Sequence, residues 1–175
     1  MSHYITTHDA SSKAVFSTLP PTRPSPTLPL GSIQVLSSTH TFPVNLSTES
    51  DITQHQTDQA QPSFPGTRII CPDNGTATLI TTLSPGAESP MHRTMTLDVV
   101  VILEGAVELR LDSGETRVLR AGDSVVQRAT KHKWVNVTPD GGVARWVVFV
   151  CRRRLRLLRL GGGGWGVSGS LESVG

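Results

Sequence analysis

From residue 68 onward the chain alternates apolar and polar positions over short runs, with turn-forming residues between them. Runs at 68–71 and 76–83 flank the turn Pro72-Asp73-Asn74-Gly75. Further runs follow at 98–103, 106–111, 116–120, 124–127, 132–138 and 143–151. In the second of these, Val107, Leu109 and Leu111 alternate with Glu108 and Arg110, the period of a half-buried strand. Asp112-Ser113-Gly114-Glu115 reads as a hairpin turn into the next run. Many short strands with no helix between them predict an all-β sandwich or jelly-roll barrel.

The first 67 residues are different. Residues 4–17 suggest a short hairpin turning at Asp9-Ala-Ser-Ser, and residues 32–36 suggest a strand. Between them Pro20, Pro21, Pro24, Pro26 and Pro29 mark an extended strap. Residues 45–67 are polar, with a short helix expected near 50–60. The chain therefore divides into an extension (1–67), a barrel (68–150) and an Arg/Gly-rich tail (151–175), whose periodicity is lost and whose expected state is disorder.

Charge alters the picture little. The net charge of +2 is composed of −2 in 1–67, 0 in 68–150 and +4 in the tail, so the barrel itself gives no warrant for nucleic-acid binding. Cys71 and Cys151 stand outside any CxxC or Cys/His cluster. His3, His8, His40 and His55 show no paired spacing and are expected at the surface. The start lacks a signal-peptide pattern and no apolar run approaches the ~20 residues of a membrane span, so the expected location is cytoplasmic. Phosphate-binding, dinucleotide, serine-hydrolase and HExxH motifs are absent from the sequence.

The candidate chemistry lies in residues 86–136. His92, Thr94 and Asp98 share one parity, and so do His132, Trp134 and Asn136. On strands, side chains of one parity share a face. Two imidazoles and a carboxylate that converge inside a barrel are a candidate metal site. Asp98, just before an apolar run, would otherwise be a charge facing a core. Gln127 and Arg128 precede His132. An arginine there would clamp a carboxylate or phenolate, or else be a surface charge. Trp134 would stack on a flat substrate or simply fill the barrel.

The spacing of Gly86, His92, Thr94, Asp98 and Gly105 resembles the first motif of the cupin superfamily, and Gly122, Arg128, Thr130, His132 and Asn136 resemble the second. The glycine frame and the His-to-Asn spacing hold. Thr94 replaces a histidine, Asp98 a glutamate, Arg128 a proline and Thr130 a glycine, and the second motif is one residue shorter before its histidine. The phrases SPMHRT, VILEGAVELRLDSGET and GDSVVQRATKHKW are similar to small single-domain cupins of fungal secondary-metabolite gene clusters.

The resemblance implies a cupin double-stranded β-helix carrying an N-terminal strand and Pro-rich extension. It also implies an oxidoreductase acting on a polyketide-derived intermediate, with relatives in salicylaldehyde-type pathways. His92, Asp98 and His132 would be both catalytic and metal-binding, with Trp134, Asn136, Arg128, Gln127 and Thr94 toward the substrate. Fe(II) suits two histidines and a carboxylate, and Mn(II) and Zn(II) are alternatives. Asp98 is shorter than glutamate by one methylene, a loss of roughly 1.5 Å of reach. This keeps a non-redox reading open, in which His and Asp transfer protons in a dehydration, isomerisation, cyclisation or decarboxylation. A third reading is a cupin that binds a small ligand without turnover. The expected partners are a small-molecule substrate and a second copy paired through the N-terminal strands, without nucleic acid or membrane.

Overall fold

The computed structural model describes residues 2–18, 27–28, 30–60, 71–72, 75–152, 157–160 and 164–167. In chain order the strands are β1 (Thr6–His8), β2 (Ala14–Phe16), β3 (Thr27–Leu28) and β4 (Gly31–Thr39), followed by helix α1 (Ser50–Ala60). Then come β5 (Thr76–Leu83), β6 (Thr96–Glu104), β7 (Ala106–Leu111), β8 (Thr116–Arg120), β9 (Ser124–Arg128), β10 (His132–Asn136) and β11 (Ala144–Arg152). β12 (Leu157–Leu160) and β13 (Gly164–Val167) end the described chain. The expected strand at 68–71, the tip of the turn at 73–74 and most of the Pro-rich strap lie outside the described residues.

Two antiparallel sheets make the barrel. The larger runs β3-β4-β5-β11-β6-β9 and the smaller β10-β7-β8. The connection from β6 to β7 is a one-residue turn at Gly105, with φ +75. A Cβ there would sit 2.4 Å from the Val143 carbonyl oxygen, so no other residue fits. Alternation then decides the inner faces. On β6, Thr96, Asp98, Val100 and Ile102 are buried while Leu97, Val99 and Leu103 are exposed. Val107, Leu109, Trp134, Trp146, Val148 and Val150 join Val100 and Ile102 in one core. Each such side chain contributes about 1.5–3 kcal/mol when fully buried.

The extension is built on this frame. β1 and β2 form their own antiparallel ribbon, as the hairpin pattern of 4–17 predicts. α1 packs on β4, burying Ile52 and His55, three residues apart on one helical face. His55 is thus buried rather than exposed. The Gln59 amide nitrogen donates to the Val35 carbonyl at 2.9 Å and contacts His55 Nε2 at 2.7 Å. Sequence spacing alone did not signal which face of the helix is covered. In the tail, β12 and β13 pair with each other, Leu160 opposite Gly164. No helix of the described residues is long and apolar enough to cross a membrane.

Candidate active site

His92 and His132 are directly opposed on antiparallel segments. The His92 N–H donates to the His132 carbonyl and the His132 N–H to that of His92, both at 2.8 Å. Residues opposed in this way put their side chains on one face, and the two rings lie with centroids 4.5 Å apart. The segment before His92 runs along β10 as an extra partner of the smaller sheet. Pro90 has no N–H to give the ladder. Beside it, the Ser89 hydroxyl accepts the Trp134 N–H at 2.9 Å.

Each ring is fixed in the same way. His92 Nδ1 lies 2.9 Å from the Pro90 carbonyl, and His132 Nδ1 lies 2.8 Å from the Thr130 carbonyl. A carbonyl only accepts, so both Nδ1 atoms carry the proton and donate. In the neutral tautomer each Nε2 then keeps its lone pair. This is the orientation by a backbone acceptor that metal-binding histidines ordinarily show. His132 is buried, and that burial pushes its pKa below the ordinary histidine range. The hydrogen bond to Thr130 pulls upward, His92 pushes down and Asp98 pulls up.

Asp98 reaches the interior from the other sheet. The chain leaves the smaller sheet after His92 and enters β6 at Thr96, so His92, Thr94 and Asp98 do not lie on one continuous strand as their parity alone suggests. Asp98 is 4% exposed, and its Oδ2 accepts from the Thr94 hydroxyl at 2.8 Å. Oδ1 is buried without a hydrogen-bond partner. Among the described residues, no three His, Cys, Asp or Glu side chains are grouped closely enough to hold a metal ion. Two imidazoles with oriented rings fit a divalent metal. The aspartate, one methylene short and bonded to Thr94, is set apart from them.

The remaining expected residues separate clearly. Gln127 is 2% exposed and lies opposite Asp98 in the β6–β9 register. Its Oε1 accepts from the Thr130 hydroxyl, while its Nε2 is buried without a partner. Arg128, the next residue, is on the outer face opposite Leu97 and is exposed, so it does not clamp a ligand inside the barrel. Trp134 packs against Trp146 at 5.4 Å and edge-on to His132 at 5.6 Å, filling the barrel beneath the histidines.

Asn136 is buried at the far end of β10 and has no polar atom to offer a substrate. Its Nδ2 donates to the carbonyls of Leu83, Ser84 and Gly142, and its Oδ1 accepts the Thr138 N–H. Sequence reading missed Thr96, whose hydroxyl is buried and unpartnered two residues from Asp98. The parity that selected Asp98 selects Thr96 as well.

The turn into β10 explains how the second motif works with one residue fewer. Where the cupin pattern has a glycine, this chain has Thr130, and the left-handed residue is Ala129, with φ +57. That turn delivers the Thr130 carbonyl to His132.

Comparison with known proteins agrees with this architecture. The Cupin domain family matches residues 79–150, which contain both histidines, Asp98 and Gln127. The chain is 43% identical over 121 residues to the cupin-domain-containing oxidoreductase srdD of Neurospora crassa, a match covering 67% of this chain and 58% of that protein. It is 38% identical over 151 residues to the cupin-domain-containing oxidoreductase fogC of Aspergillus ruber, covering 84% and 70%. It is 41% identical over 135 residues to the phomopsin biosynthesis cluster protein D of Diaporthe leptostromiformis, covering 76% and 69%. The sheet order, the paired histidines and these relatives lead to one assignment: the chain belongs to the cupin family.

Proposed function

We propose that this protein is an oxidoreductase acting on a small, polyketide-derived intermediate of a fungal secondary-metabolite pathway, with a divalent metal, Fe(II) first among Fe(II), Mn(II) and Zn(II), held by His92 and His132. The observation that carries the reading is the matched pair of rings, each with Nδ1 donated to a backbone carbonyl and Nε2 left for a ligand. The relatives named as oxidoreductases supply the reaction class. A bound metal would supply Lewis-acid or one-electron chemistry. The chain's own residues hold the imidazoles in place, with the Pro90 and Thr130 carbonyls on their Nδ1 atoms and Trp134 edge-on to His132. Asp98, set apart from them, keeps one carboxylate oxygen without a partner among the described residues and would serve as an acceptor for a proton or a hydrogen bond. The β1–β2 ribbon is the element through which a homodimer would pair.

Asp98 favours one alternative. A buried carboxylate with an uncommitted oxygen, apart from the histidines, suits a non-redox reaction in which it takes a proton from the substrate. Elemental analysis of protein purified without chelator tests the first reading. Near-stoichiometric metal that is lost in both His92→Ala and His132→Ala, with the barrel still folded, is the expected result; full metal retention in either variant would overturn the ligand assignment. Asp98→Asn distinguishes the two chemistries. Metal lost with activity makes Asp98 a ligand, whereas metal kept with activity lost makes it the base.

A further inference from the structure

Three buried polar atoms at the histidine end of the barrel have no hydrogen-bond partner: Thr96 Oγ1, Asp98 Oδ1 and Gln127 Nε2. Their side chains are 4%, 4% and 2% exposed. Buried polar groups are nearly always satisfied, because leaving one unmet costs most of its desolvation penalty. Three together is a pattern that folding does not explain.

Their arrangement indicates what they await. Asp98 and Gln127 are register partners on β6 and β9. Directly opposed residues have Cβ atoms about 4.5–5.5 Å apart on the same face. One presents an acceptor and the other a donor, yet they do not bond each other. Each is held by its other polar atom: Asp98 Oδ2 by Thr94, Gln127 Oε1 by Thr130. Those two threonines engage one polar atom of each side chain, and the register makes the two residues neighbours on one inner face. A single hydroxyl oxygen can satisfy both, since it accepts from an N–H and donates to a carboxylate oxygen.

We propose that Asp98 and Gln127 form a hydroxyl-binding subsite, in which a hydroxyl of a small-molecule ligand accepts from Gln127 Nε2 and donates to Asp98 Oδ1. Thr94 and Thr130 are positioning residues for this pair, and Thr96 adds a third polar contact on the same inner face. The subsite rests on the reading of the barrel interior as the substrate chamber, and it adds the ligand class: an alcohol or phenol, discriminated from its ether. Discrimination arises because an ether oxygen leaves the buried carboxylate unmet.

The test is a titration of the full-length, isotopically labelled protein with benzyl alcohol and, separately, with benzyl methyl ether, followed by NMR. The Gln127 side-chain amide is identified by its loss in Gln127→Leu. Expected is a shift of that amide with the alcohol and binding of the alcohol at least about tenfold tighter than of the ether. In Asp98→Asn and in Gln127→Leu, each with a dispersed native-like spectrum, the preference should fall to about twofold or less. Equal binding of alcohol and ether by the wild type, with shifts at His132 and Trp134, would overturn the subsite while leaving the chamber as a binding site. No interior shift with either compound would overturn the subsite and the chamber reading together.

Discussion

The two ends of β10 hold buried polar side chains of opposite character. At one end Asn136 spends its amide on three carbonyls and one N–H, all from the backbone. At the other, the His132 end, Asp98, Gln127 and Thr96 each have a buried atom without a hydrogen-bond partner among the described residues. Both ends are equally buried. Burial of a polar residue therefore says little about its role, and the state of its hydrogen bonds says much. The satisfied end serves the fold; the unsatisfied end serves something that arrives from outside it.

The sharpest way to break this contrast is Asn136→Ala. Several buried backbone groups lose their partner at once, and each costs about 1–3 kcal/mol when stranded. A loss of about 3 kcal/mol or more in chemical denaturation is expected; a change below ~1 kcal/mol would show that the asparagine end is not structural. The opposite end should behave oppositely. Gln127→Leu removes an unmet donor and should change stability by no more than about 1 kcal/mol, in either direction, while abolishing the alcohol preference. A loss as large as that of Asn136→Ala would make Gln127 a fold residue.

His55 sharpens the comparison from outside the barrel, since its Nδ1 is also buried and unpartnered. Burial first, and His3 second, push its pKa below the ordinary 6.5, while Asp58 and Asp51 pull upward. The unfolded chain thus binds a proton that the folded chain resists. Its contribution is present in full above pH 6.5 and is lost as pH falls through the lower folded value. Thermal melts of wild type and His55→Leu between pH 7.5 and pH 5, a window set about the ordinary histidine value, should show a smaller acid-induced drop in the variant. Identical pH profiles would remove His55 from the account. The smallest effect is expected at Ala129→Gly. A left-handed alanine costs roughly 1–2 kcal/mol, offset by about 0.8 kcal/mol for a buried methyl, so a gain of a few tenths to ~1 kcal/mol in melting experiments is expected. A loss would show that the turn is not strained.

Much of the barrel was legible in the sequence, because strand alternation from residue 76 to 151 is set by one buried face. The helix at 50–60 was legible as well, but not which of its faces is covered, so His55 was placed outside. At the site, parity selected His92, Asp98 and His132, while Gln127 was selected with Arg128 only for its place before His132. Applied strictly it would have added Thr96 and excluded Arg128, the outward neighbour of Gln127. Parity has no information along a strand's length, which is why His132 and Asn136 looked alike although they sit at opposite ends of β10. Nor does it register a corner: the change of sheet between His92 and Thr96 sets Asp98 apart from the two imidazoles.

The network around Asn136 has a further consequence, for the order in which the molecule opens. It ties the loop after β5, the loop after β10 and the start of β11 into one unit. Amide protons there are expected to exchange with solvent more slowly than those around Ala129 and Pro90, a difference that hydrogen-exchange measurements would read. A ligand bound near His132 would then sit at the opposite end of β10 from the unit that Asn136 ties together.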